Sequence, residues 1–149
     1  MSTVKNELEE VIICLEQKKL FITDVMDLTK QIEVQSNQED MELDNLLEQR
    51  QAKIERMMKC DDLIQDKIGE LDSQQQEHWE KIINGEQCSL ENEVEKKASE
   101  HVEVIKELTK RTVELQKIAM DNLKAQYEEA RDKLSEIRKN NAPNQNIFN

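Results

Sequence analysis

Residues 94–137 read VEKKASEHVEVIKELTKRTVELQKIAMDNLKAQYEEARDKLSEI, and they decide the fold. Their apolar and small positions are Val94, Ala98, Val102, Ile105, Leu108, Thr112, Leu115, Ala119, Leu123, Tyr127, Ala130, Leu134 and Ile137. Each step in that series is three or four residues. Side chains so spaced line one face of an α-helix, whereas a half-buried strand alternates every second residue. The stretch therefore predicts one helix of roughly 50 residues, about 75 Å long at 1.5 Å per residue. Its borders carry matching signals. Ser89 reads as an N-cap, and Glu91, Glu93 and Glu95 suit the positive end of the helix dipole. Arg138 and Lys139 suit the negative end. Asn140-Asn141-Ala142-Pro143-Asn144 is expected to stop the helix and leave a flexible tail over 140–149.

The next segment toward the N-terminus carries Leu43, Leu47, Ile54, Met57, Ile64, Ile68, Leu71 and Ile82. Positions 47, 54, 61, 68, 75 and 82 form a heptad series in which Asp61 and Gln75 are polar, the kind of seam residue that fixes register at some cost in stability. Gly69 and the run Asp72-Ser73-Gln74-Gln75-Gln76 weaken its middle. Ser73 and Gln76 have capping-box spacing, so both a continuous helix and a break there fit the sequence. Asn84-Gly85 reads as a helix end, glycine taking the left-handed conformation past the last turn. The first segment has its stripe at Leu8, Val11, Leu15, Ile22, Val25 and Ile32. Leu20, Phe21 and Leu28 lie off the stripe, which predicts packing on two sides. Ser36 and Glu39 again have capping-box spacing and place a turn between the first two segments.

The sequence thus predicts one all-α domain over 1–149, with helices at about 3–35, 40–84 and 90–139. Long helices joined by short turns run antiparallel to bury their stripes, giving an elongated hairpin or three-helix bundle with coiled-coil character. The stripes are rich in alanine, threonine and polar residues. A homodimer, or a groove left open for a partner helix, would complete so thin a core.

Composition bounds the function. Of 149 residues, 36% are charged, 3% aromatic, 2 are Gly and 1 is Pro, a mixture that favours helix at exposed positions and gives sheet little support. The net charge of −12 argues against nucleic acid, whose phosphates need a basic stripe, and against an anionic membrane surface. No apolar run reaches the ~20 residues needed to cross a bilayer, and no apolar run near Met1 resembles a signal peptide. A cytoplasmic location is expected. The segment 36–85 is the more acidic and that from 86 onward nearly balanced, so the third helix is expected beside the second. Cys14, Cys60 and Cys88 form no CxxC or metal-ligand spacing and read as free thiols. His78 and His101 stand in no catalytic grouping. A solvated surface position is the simpler reading for His78, with an acidic neighbour across the hairpin as the alternative. No phosphate loop, zinc-protease or nucleophile-elbow motif occurs, and neither histidine has a glutamate three residues before it, as the Glu-x-x-His pair of a helical di-metal site requires. The sequence predicts no enzyme, no cofactor and no metal.

The stretch Leu46-Leu47-Glu48-Gln49-Arg50-Gln51-Ala52-Lys53-Ile54 resembles the LLxxRQxLI region of the FlgN/FliT-type flagellar export chaperones, and Asn37-Gln38-Glu39-Asp40 resembles the polar turn that precedes it. The third helix, from Asn122 and Leu123 to Leu134 and Ile137, is similar to that family's client-binding C-terminal region. The final Ile147-Phe148-Asn149 departs from the aromatic-glycine ending frequent there. The resemblance implies a cytoplasmic secretion chaperone with protein clients, namely hook-associated or filament-cap proteins. It would hold their helical terminal segment against premature assembly and deliver it to the export apparatus. It also implies a client surface on Leu115, Leu123, Tyr127, Leu134 and Ile137, and an aromatic contact to the export apparatus for which Tyr127 and Phe148 are the candidates. A structural coiled-coil adaptor or spacer without a secretion client is the alternative.

Overall fold

The computed structural model of the chain describes the backbone of residues 2–38 and 43–147 and the side chains of residues 8–38 and 43–140. Four helices follow one another: α1 Ser2–Gln35, α2 Asp44–Gly69, α3 Ser73–Ile83 and α4 Glu93–Ile147. The architecture is all-α, and the described residues contain no strand.

Helix α1 is the centre of the assembly, with α2 on one side and α4 on another. Ion pairs give the directions. Lys18 Nζ meets Asp61 at 2.7 Å, Lys53 Nζ meets Asp24 at 3.2 Å and Lys67 Nζ meets Glu10 at 2.8 Å. As one number rises the other falls, so α2 runs antiparallel to α1. Against α4, Lys19 lies at His101 and Ser36 at Asn122, so α4 runs parallel to α1. Packing of α1 on two neighbours accounts for its off-stripe Leu28, which is buried. The expectation that α4 would lie beside the acidic second helix over 40–84 holds for the part that is α3 and is corrected for α2. The backbone of α4 approaches α1 and α3 and not α2, because the stripe of α4 finds its apolar partner in α1.

The core is concentrated at one end. Val11 and Leu15 of α1, Ile64 and Ile68 of α2, Trp79 and Ile82 of α3, and Ala98 and Val102 of α4 close it. Burying such side chains supplies the main stabilisation, on the order of 1.5–3 kcal/mol for each large one. Buried threonines are accommodated because their hydroxyls donate back along the helix, Thr29 to Val25 O and Thr112 to Leu108 O, both at 2.7 Å.

Of the continuous helix and the break that both fit the sequence over 40–84, the structure has the break, and the segment is two helices. Glu70, Leu71 and Asp72 separate them, and the cap of the second is Asp72 rather than Ser73. Asp72 has extended backbone and its carboxylate accepts from Gln75 N–H at 2.8 Å. The break lets α3 fold its apolar face onto the core while α2 keeps its own. The end of α3 is as expected: Gly85 has φ of +72°, and the amides of Gly85 and Glu86 donate to Ile82 O and Lys81 O at 3.1 and 2.9 Å. At the start of α4 the cap is Asn92, whose Oδ1 accepts from Glu95 N–H at 2.9 Å, in place of Ser89. Cys88 and Leu90 pack on the core in the connecting stretch, and the chain passes Ser89 without helical structure. Helix α4 also continues through Asn140 and Pro143 to Ile147, where a stop and tail were expected. Proline removes one N–H, and the carbonyl it leaves is that of the exposed Lys139, which water can satisfy. The Ser36–Glu39 capping box falls partly on Glu39, which lies outside the described residues. Ser36 itself, fully buried, donates its hydroxyl to Glu33 O at 2.6 Å.

Candidate functional site

Helices α1 and α4 run in parallel, but α4 is much longer, 55 residues against 34. Contact between them ends where Asn122 Nδ2 donates to Ser36 Oγ at 3.1 Å. Beyond that clasp about 25 residues of α4, roughly 35 Å of helix, extend past the end of α1. The stripe that is core at Ala98, Val102, Ile105 and Ala119 does not stop at the clasp. It continues on the same face through Leu123, which borders the cleft over α1 and α2, to Tyr127, Ala130, Leu134 and Ile137, which line no cleft with another helix among the described residues.

The structure therefore divides the expected client surface. Leu115 and Leu123 are half-buried on the part of α4 that accompanies α1. Tyr127, Leu134 and Ile137 are 68%, 51% and 58% exposed on the projecting part. The five residues do not form one groove. Leu123 belongs to a cleft above the C-terminal half of α1, lined also by Ile32, Leu47, Arg50, Gln116 and Ala119. Tyr127 and Leu134 line a shallow depression along the projecting helix together with Arg131 and Arg138.

Arg50 fixes the geometry at the base of the projection. Its Nε donates to Thr29 Oγ1 at 3.0 Å and one terminal nitrogen donates to Gln116 Oε1 at 2.6 Å, so a single side chain of α2 ties α1 to α4. Burial lowers its pKa from the ordinary guanidinium value, which still leaves it charged at neutral pH. Composition and periodicity gave no sign of this role, since an arginine off the apolar stripe reads as a solvated side chain.

At the other end, Glu95 is a buried carboxylate. Its Oε1 lies 2.6 Å from His78 Nε2 and accepts from Glu91 N–H at 3.1 Å, and its Oε2 accepts from Asn92 Nδ2 at 3.2 Å. His78 thus has the acidic neighbour, not the solvated position, and the pair anchors α3 to the start of α4. His101 sits between Lys19 Nζ at 3.3 Å and Glu16 Oε1 at 3.7 Å. Neither histidine has a nucleophilic hydroxyl or thiol among its hydrogen-bond partners, and among the described residues no cluster of three His, Cys, Asp or Glu converges as a metal site would. Cys14 and Cys60 are buried and Cys88 is half-buried, all three as free thiols. No helix among the described residues is long and apolar enough to cross a membrane.

The feature that stands apart from internal packing is therefore the projecting half of α4, an apolar helical face with no other helix packed on it among the described residues, tied at its base by Arg50 and the Ser36–Asn122 clasp. No protein-family model, no curated protein and no solved structure matches the chain.

Proposed function

We propose that this protein binds a helical segment of another protein on the projecting half of α4, and that it does so as an export chaperone of the flagellar type. The carrying observation is the continuity of the stripe: the face that is core beside α1 runs on through Tyr127, Leu134 and Ile137, half or more exposed. A helix laid along that face would extend the bundle by one partner in the way α1 does below it. Masking an apolar client helix needs no nucleotide and no bond chemistry. The client class comes from the resemblance carried by Leu46-Leu47-Glu48-Gln49-Arg50, a stretch that lies in the first turns of α2 and includes the arginine bracing α4.

The test is calorimetric titration of the full chain with the purified terminal segments of the hook-associated and filament-cap proteins from the same genome. A saturable complex lost in Leu134→Asp is expected. Binding to none of them would overturn the flagellar assignment. In motile cells, Tyr127→Ala should weaken client binding and reduce export, and normal secretion in that variant would remove Tyr127 from both contacts. The adaptor reading differs in one measurable respect, because a spacer without a client would bind none of these segments.

A further inference from the structure

The spacing past the clasp is a strict heptad. Leu123, Ala130 and Ile137 take one seam position, d, and Tyr127 and Leu134 the other, a. The positions bordering that seam, e and g, are then Lys124, Gln126, Arg131, Lys133, Arg138 and Asn140. The acids of this segment, Glu128, Glu129, Asp132 and Glu136, fall at b, c and f, outside the border positions, and of these Asp132 reaches the rim of the depression beside Arg131. A chain with a net charge of −12 thus presents the apolar seam of the projecting half of α4 between borders that carry only cations and amides. Lys133 makes an exposed 3.4 Å pair with Glu129 along the helix, an interaction of little strength. Lys124, Arg131 and Arg138 meet no carboxylate within bonding distance among the described residues.

We infer that the occupant of this seam is an acidic amphipathic helix, one whose apolar stripe is bordered by glutamate or aspartate. The inference rests on the reading of the projecting half of α4 as the client surface, and adds the chemistry of the client. Border residues of a two-helix seam face the border residues of the partner, and their charges set partner choice. A second copy of this chain would bring cations against cations, whether the two helices ran parallel or antiparallel. An anionic membrane surface would attract the cations, but a seam of two apolar positions in seven is narrow for burial in lipid, and the rest of the chain is strongly acidic. An acidic helix meets neither objection. The acidic body repels it elsewhere, and that repulsion fades within about 8 Å at physiological salt, so the projecting helix stands largely clear of it.

Two synthetic three-heptad helical peptides test the inference, identical in their Leu/Ile seam and carrying either Glu or Lys at both border positions. The Glu-bordered peptide is expected to bind the full chain roughly tenfold more tightly at low salt, with the difference shrinking as salt is added. The triple substitution Arg131→Glu, Lys133→Glu, Arg138→Glu is expected to reverse the preference without changing the melting temperature, since all three side chains are exposed. Equal binding of both peptides, abolished by Leu134→Asp, would overturn the charge rule while leaving the surface in place. Binding of neither would overturn the surface itself. Sedimentation showing a dimer dissolved by Leu134→Asp would make a second copy the occupant. Tighter association with phosphatidylserine-containing vesicles than with the Glu peptide would make it a membrane.

Discussion

Two substitutions on one face of one helix should have opposite consequences, and this contrast separates core from binding surface. Ile105 and Leu134 both belong to the α4 stripe, but Ile105 is 7% exposed and Leu134 is 51% exposed. Ile105→Asp removes a buried apolar side chain, costing about 2–5 kcal/mol by analogy with truncation to alanine, and places a carboxyl where it has no partner, adding a further ~1–3 kcal/mol. Leu134→Asp recovers little apolar area because no neighbour covers it, so its cost should stay within about 0.5 kcal/mol. For a chain of this size 1 kcal/mol shifts the melting temperature by roughly 2–4 °C. Circular dichroism melts should therefore show Ile105→Asp lowered by about 10 °C or more, or unfolded, and Leu134→Asp within about 2 °C of the parent. An equal fall for both would refute the reasoning, because Leu134 would then be buried in the free protein.

Other consequences follow from particular contacts. Arg50→Met should destabilise by roughly 1–2 kcal/mol in urea titration, since it leaves Thr29 and Gln116 without their shared donor, and an unchanged midpoint would show that the brace contributes nothing. Gly85→Ala should cost about 1 kcal/mol, because φ of +72° disfavours a Cβ and that atom would come within 3.3 Å of Lys106 Nζ. Burial raises the thiol pKa of Cys14 and Cys60, so alkylation at mildly alkaline pH should reach Cys88 first and those two only on unfolding. The sign for stability follows from which state loses the proton first. The unfolded thiols ionise at lower pH than the folded ones, so this contribution is intact below the unfolded pKa and is lost as pH rises through the folded values. A Cys14→Ala, Cys60→Ala variant should lose that alkaline decline, and an identical pH profile would contradict it.

The long helix was legible because its apolar residues keep step for more than ten turns, and the hinge at Gly85 because only glycine fits that backbone readily. The break before α3 was legible as a weak point, and its cap was not. Asp72 and Ser73 are both good caps, and the choice between them depends on where Leu71 and Trp79 meet the core. The start of α4 was displaced for the same reason, Cys88 and Leu90 being drawn into packing that local propensity does not record. What the stripe could not reveal was where its partner ended. Ala119 and Leu134 are equivalent in the periodic pattern, and only the length of α1, closed by Ser36 against Asn122, makes one core and leaves the other open. Arg50, the His78–Glu95 pair and the Ser36–Asn122 clasp are contacts between residues far apart in sequence, and pattern within a segment carries no trace of them.

Amide hydrogen exchange along α4 is the most direct measurement of the central claim, that the stripe outruns its partner and awaits another. In the free protein, amides over 98–119 should exchange slowly and those over 124–140 faster by orders of magnitude, because an isolated helix of that length is marginal without packing. Adding the Glu-bordered peptide should slow exchange over 124–140 and leave 98–119 unchanged. Uniform protection along the whole of α4 in the free monomer would mean that the stripe is already covered, and would contradict the account.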